Sequence, residues 1–321
     1  MLVMEHDIQV GRYKLGMVDS VKVKKSVETL SDTATIVLPG VYVNRALDVE
    51  GKFNIGDDVT IRLGYLNTLQ TEFKGYLKSI KTDDGSITLD CEDGLFQWRS
   101  PLKDVQLTNV NINTLLQRVC SEVNQAKGTL FRVNCDYDFT YEKYTFYKAN
   151  AIDVLKQIQD ETKANIYFED NVLHIHPPYS QIANITPVIY DFAVNVEKSD
   201  LKYVKASDKN VCVEVTFYNT KGEKKTITEG KKGGTKKQVT VNNGDESSAK
   251  KIAESEYNIW CYDGYEGSLT GWLIPYVEPS YKVTIKDDDY PHKTGNYYVI
   301  ATEVEFSSKG GSRKVTLGRR I

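Results

Sequence analysis

Apolar and polar residues alternate with a period of two over much of this chain, and the runs are short. Ala34, Ile36 and Leu38 alternate with Thr33, Thr35 and Val37 before Pro39-Gly40. Val59, Ile61 and Leu63 alternate with Thr60 and Arg62, and Gly64-Tyr65 closes the run. Phe73 to Ile80 and Ile87 to Cys91 flank Asp83-Asp84-Gly85, which predicts a tight hairpin. Near the end come Gly267–Gly271, Tyr281–Ile285, Gly295–Ile300 and Gly310–Leu317. In the second of these, Tyr281, Val283 and Ile285 face one way and Lys282, Thr284 and Lys286 the other. Short strands at this spacing predict a sandwich or small barrel at each end of the chain.

Between them the period changes to that of helices. Ile112, Leu115, Leu116, Val119 and Val123 follow helical spacing behind a cap at Asn111, with Gly128 at the stop. A second helix is expected from Ala151 to about Lys163, capped by Asn150, with Asp153 in its first turn and Ile152, Leu155 and Ile158 as its stripe. A hairpin follows, Asn165–Phe168 and Val172–Ile175 around Glu169-Asp170-Asn171, stopped by Pro177-Pro178. Strands resume near Val188, with Val211–Tyr218 the clearest, and one more helix runs from about 245 to 260 with Ala249, Ile252, Ala253 and Trp260 on one face. The expected fold is mainly β with an α+β insert: a β-barrel domain over 1–100, a helix–helix–hairpin domain over 101–187 and a second β-barrel domain over 188–321.

Composition narrows the function. Twenty-one tyrosines against ten phenylalanines suit pleated surfaces with one wet side. A net charge of -3 from 41 basic and 44 acidic residues gives no global attraction to nucleic acid or anionic lipid, so neither sequence-specific nucleic-acid binding nor membrane insertion is expected. The five cysteines are widely spaced without a CxxC and read as apolar fillers in a reduced compartment. The first residues lack a basic segment followed by an apolar one, so no signal peptide is expected and the protein is assigned to a bacterial cytoplasm at synthesis.

Candidate chemistry is sparse. His174 and His176 share a strand face but lack a recognisable third ligand, so they read as the polar face of a hairpin strand. Asp287-Asp288-Asp289 lacks the register of a calcium loop and reads as a solvated hairpin tip, as does Asp83-Asp84. Lys221 to Lys237 fails the phosphate-loop spacing and reads as a flexible hairpin, with Lys231, Lys232, Lys236 and Lys237 as candidate contacts for an anion or an acidic partner. Tyr262, Tyr265, Trp272 and Tyr276 surround Gly264, Gly267 and Gly271 and are candidate interface aromatics, with a sugar platform as the alternative. No GxSxG, HExxH or GxGxxG appears, so no catalytic set, metal site or cofactor is assigned, although scattered carboxylates leave a glycosidase pair open.

The ordered set of segments resembles the phage tail hub proteins of the late-control protein D family. The resemblance is carried by Ile36-Val-Leu-Pro39, Val59–Tyr65, Phe73-Lys-Gly-Tyr76 and Leu89–Asp93. It continues through Thr114–Leu116, Ala151–Leu155, Ile166–Phe168, Leu173–Ile175, Gly295–Val299 and Gly311–Leu317. It covers nearly the whole chain, but Pro275 and Pro279 stand without the glycine that the family shows before the Tyr281 strand. The resemblance implies a non-enzymatic baseplate hub. Two barrels per chain, in three copies, would form a ring joining a sixfold tail tube protein to a central spike protein, open to DNA or cargo and built into a virion tail or related injection device. A cell-wall hydrolase and a carbohydrate-binding module of the same machinery are the rival readings.

Overall fold

A computed structural model describes residues 3–39, 49–66, 68–83, 85–184, 186–218, 223–241 and 246–321. Gly40, Asp84 and Lys221, named above, lie outside the described residues. The first β region comprises β1 (Met4–Val10), β2 (Tyr13–Leu15), β3 (Ser20–Ser26), β4 (Thr33–Leu38), β5 (Asp58–Tyr65), β6 (Thr68–Asp83) and β7 (Ser86–Glu92). They pair antiparallel in the order β3-β4-β7-β6-β5-β1-β2. The alternation read from sequence is met side chain by side chain: Ala34, Ile36 and Leu38, and Val59, Ile61 and Leu63, are all buried in one core.

The insert has more strands than its hydrophobic pattern suggests. It contains β8 (Val105–Asn111), α1 (Ile112–Lys127), β9 (Arg132–Cys135), β10 (Thr140–Phe146), α2 (Ala151–Thr162), β11 (Asn165–Glu169) and β12 (Val172–His176). β10 pairs with β8, and β12 stands between antiparallel β11 and parallel β9. β8 escapes a period-two reading because Asn109 takes φ 48° and breaks the alternation, while β9 has only four residues. Both helix starts and stops fall where expected. Asn111 accepts from the Asn113 N–H, Gly128 ends α1 at φ 68°, and the Asn150 N–H donates to Asp153 at 2.9 Å. The buried stripe of α2 is Ala151, Val154, Leu155 and Ile158; Ile152 is half-buried at its edge.

The last region holds β13 (Val188–Asp191), β14 (Lys198–Ser199), β15 (Lys202–Val204), β16 (Val211–Tyr218), β17 (Lys224–Gly230), β18 (Thr235–Val241), α3 (Glu246–Trp260), β19 (Gly264–Gly271), β20 (Lys282–Lys286), β21 (Gly295–Ser307) and β22 (Gly310–Arg320). Two cores divide it. Strands β16 to β18 form a sheet of their own, covered by Ala249 and Ala253 of α3. The remaining strands enclose Leu269, Val277, Val283, Ile285, Tyr297, Val299, Val315 and Leu317.

Strand β21 belongs to both ends of the chain. Residues 295–298 pair with β20, residues 301–307 pair with β3, and β22 runs along its other edge. Register shifts between Tyr297 and Ala301 change its phase. Tyr297 and Val299 therefore enter the C-terminal core, whereas Val304 and Phe306 enter the first one, together with Leu273. The two β regions are thus one hydrogen-bonded sheet of 14 strands.

Leu273→Ala is expected to cost about 2–5 kcal/mol, the usual range for such a truncation in a core. Hydrogen exchange should quicken in β4 and β7, far away in sequence. Quickening confined to β19–β22 would refute the shared core.

Candidate functional site

A cleft of about 550 Å3 opens where the first β region, the insert hairpin and the 276–281 loop meet. The hairpin turn reaches it because Asp170 and Asn171 both adopt left-handed φ values, 42° and 66°. Lys74 Nζ lies 2.7 Å from Asp170 Oδ1, tying the two units at the rim. At Gly94 a Cβ would stand 3.0 Å from the Phe168 ring, so a side chain there would push the hairpin away.

Buried charge lies beneath and beside this cleft. Arg313, 1% exposed, donates to Glu72 through Nη2 (2.6 Å) and Nη1 (3.1 Å), and to the carbonyls of Leu273 and Val277. Its guanidinium sits 5.1 Å from the Tyr276 ring centre. Burial pushes the Glu72 carboxyl up, and Arg313 pulls it back. Lys25 Nζ donates to both Glu278 oxygens at 2.7 Å, and the Tyr276 hydroxyl is shared between Glu278 and the Thr71 carbonyl. Desolvation works against the Lys25 charge, but Glu278 and Asp32 carry its pKa above the ordinary value.

Asp32 and Asp93 lock the neighbouring backbone. The Asp32 N–H donates to Asp93 Oδ2 (3.0 Å), the Ser26 N–H to Asp32 Oδ1 (3.0 Å) and the Leu95 N–H to Asp93 Oδ1 (3.0 Å). Burial pushes Asp32 up to about 7, and Asp93 well above its usual range. Each of these carboxyl groups is committed to internal donors, so the cluster works as a strut between β units.

The residues singled out in sequence do not gather here or in any other single place. The stretch ending at Lys237 is two strands and a turn, and β17 and β18 flank β16 instead of pairing with each other. The pleat sends adjacent lysines to opposite faces: Lys236 pairs with Glu214 at 2.7 Å, while Lys237 lies 3.7 Å over the Trp260 ring. Lys231 reaches Asn210 at 3.2 Å and Lys232 is exposed in the turn. The period-two run Gln238-Val-Thr-Val241 was the available signal.

Among the aromatics, Tyr262 donates to Glu266, Tyr265 packs edge-on against Tyr203, Tyr276 joins the charged cleft and Trp272 is 42% exposed. His174 Nδ1 stands 3.1 Å from His176 Nε2, and His176 Nδ1 stands 2.8 Å from Asp136; burial lowers both imidazole pKa values. Among the described residues no group of three His, Cys, Asp or Glu side chains suits a metal ion. Asp287 departs from the solvated-tip reading. It is 5% exposed, accepts from the Asp289 and Tyr290 N–H groups and pairs with Lys293 at 2.9 Å, closing the β20–β21 connection as a cap. All five cysteines are free thiols, and no described helix is long and apolar enough to cross a membrane.

No protein-family model and no curated protein matches the sequence. Solved structures match in fold over the full length. A tail protein from Neisseria meningitidis aligns with a TM-score of 0.69 at 11% identity, covering 99% of this chain and 97% of that one. A prophage 43 kDa tail protein from Shewanella oneidensis gives 0.65 at 15%, covering 98% and 96%. An E. coli component of the type VI secretion system, itself described as similar to the T4 bacteriophage tail proteins gp27 and gp5, gives 0.63 at 12%, covering 98% and 79%. The structural neighbours are therefore phage tail proteins and type VI secretion components, and the mainly β architecture is theirs.

Two outcomes follow from the charged junction. Glu72→Gln should cost about 3–5 kcal/mol by leaving Arg313 buried without a counter-charge, and the double variant Glu72→Leu/Arg313→Met should cost less. A cost for Glu72→Gln below about 1 kcal/mol, typical of exposed pairs, would sink this reading. The Asp32 shift has a definite sign: a carboxyl raised to about 7 binds its proton more tightly folded than unfolded. Its contribution is present at low pH and is lost as pH rises through 7. Urea midpoints should fall from pH 5 to 8 in the native chain, and less steeply in Asp32→Asn; parallel slopes would contradict the assignment.

Proposed function

We propose that this chain is a non-enzymatic hub of a phage tail baseplate or a related injection device. In this reading two β-barrel domains, 1–100 and 188–321, flank the insert 101–187 and close with two further copies into a trimeric ring. The ring joins the tail tube protein to the central spike protein and lets DNA or cargo pass. The chain is made in the bacterial cytoplasm and built into the virion tail.

The observation that carries this is β21. A ring subunit must hold two binding units at a fixed angle, and one strand hydrogen-bonded into both β regions does so without a hinge. The full-length match to tail proteins, covering 96–97% of two of them, supports the same reading. A lumen for DNA must not grip phosphate, and a net charge of -3 over 321 residues is compatible with that. A cell-wall hydrolase needs an acid–base pair free to act, whereas Asp32, Asp93, Glu72 and Glu278 are held by internal partners.

Light scattering on a size-exclusion column should give three times the 36.4 kDa chain mass for the chain alone, or that mass plus the partner's when tube or spike protein is added, and negative-stain images should show a central hole. A chain that stays monomeric with both partners present would overturn the ring.

A further inference from the structure

Strand β17 leaves one edge open. β16 takes its other edge, and β16 in turn pairs with β18, which lies against α2. One bond just beyond the ladder sets its phase: the Lys231 N–H donates to the Val211 carbonyl at 3.0 Å. In antiparallel pairing every second residue bonds the neighbouring strand, and the residues between turn their N–H and C=O away from it. Along the register of β16 and β17, Glu229, Ile227 and Lys225 therefore bond β16, while Thr228 and Thr226 present both backbone groups outward. Both threonines are exposed, and no other described residue bonds their main chain. The edge of β13 is treated differently. There the Asn195 side chain accepts from the Asp191 N–H at 2.9 Å and donates to the Ile189 carbonyl at 3.1 Å, occupying the backbone groups that β17 leaves available.

The flanking charges specify what can add to this edge. Lys224 and Lys225 stand at its start, exposed, on opposite faces and without an ion pair among the described residues. Lys231 and Lys232 stand at its far end, also exposed, and Lys231 meets only the neutral side chain of Asn210. Glu229, the one acid of the strand, is half-buried. Because both ends are basic, a second copy of β17 would bring lysines against lysines in either orientation, so a copy of this chain is disfavoured. An acidic strand meets the same four lysines with attraction, and its main chain supplies the partners that Thr226 and Thr228 lack.

We propose that the outer edge of β17 is a docking site for an extended acidic segment of another protein, which adds to the β16–β18 sheet as a fourth strand. The backbone of Thr226 and Thr228 holds the segment, and Lys224, Lys225, Lys231 and Lys232 select its charge. This gives the lysine-rich stretch a role that rests on strand geometry instead of a loose basic patch.

The test is fluorescence anisotropy on the full chain with a labelled peptide of alternating valine and threonine that carries glutamates at both ends. It should bind saturably. The same peptide N-methylated at two adjacent central residues, which blocks both of its edges, should bind tenfold or more weakly. Proline is tolerated on a strand edge where the N–H faces away from the ladder, so Thr226→Pro/Thr228→Pro removes the outward donors and leaves the bonds to β16 in place. That variant and Lys224→Glu/Lys225→Glu should each weaken binding tenfold or more, whereas Lys309→Glu, in the distant β21–β22 turn, should leave it unchanged. Circular dichroism reports whether each variant keeps its fold, and the lysine pair tests the site even if the prolines unfold the sheet. The proposal is overturned if the peptide does not saturate, or if the methylated peptide binds as well as the parent. It is equally overturned if a short DNA duplex displaces the peptide at equal charge, which would make the lysines a general polyanion patch. Binding of the peptide by folded Thr226→Pro/Thr228→Pro or Lys224→Glu/Lys225→Glu protein at native strength would overturn it too. Mass in solution is read separately, so failure here leaves the ring reading standing, and the reverse holds as well.

Discussion

The union of the two β regions hangs on the edge hydrogen bonds of β21. A strand has two edges, and a thirteen-residue strand has room for two successive neighbours on one of them. Here β20 takes the first part and β3 the second, while β22 occupies the opposite edge throughout. The bulges between Tyr297 and Ala301 make this workable, because a one-residue change of phase turns the buried face from one core toward the other. Without them, the side chains that fill the C-terminal core would put their polar neighbours into the first.

Buried charge reinforces the same joint. A lone guanidinium at the position of Arg313 would be prohibitive, and the arrangement tolerates it only because Glu72 and two main-chain carbonyls take up its donors. Such a network is directional, unlike the apolar contacts around it. It admits one orientation of the 273–277 segment against β6, and Lys25 with Glu278 repeats the constraint from β3. The hydrophobic cores supply cohesion; these polar contacts supply the angle.

Local structure was legible in the sequence to the extent that it was locally determined. Period-two runs such as Ala34–Leu38 and Val59–Leu63, the caps at Asn111 and Gly128, and the Asp170-Asn171 turn each carry their own physical cause within a few residues. What was hidden depended on partners far away. Glu72 and Arg313 are 241 residues apart, and neither stands out where it occurs. The double role of β21 requires knowing that β3 is its neighbour. The lysines of 231–237 read as one patch until the strand pleat divides Lys236 from Lys237. Asp287 read as a solvated acid because the N–H groups it caps are visible only once the chain turns. The order of the elements carried the resemblance to tail hub proteins, which no single motif could.

The first core takes Leu273, Val304 and Phe306 from the far part of the chain. A ribosome emits residues in order, so β1 to β7 must wait, incompletely sealed, while some two hundred more are made. During that interval β3 exposes an unpaired edge next to apolar side chains, the kind of surface that sticks to its copies on a crowded polysome. Contacts this distant in sequence also make for slow closure. The intertwining that makes the finished fold stiff therefore leaves the nascent chain vulnerable longest, and ties its yield in the cell to whatever shelters that edge until β21 arrives.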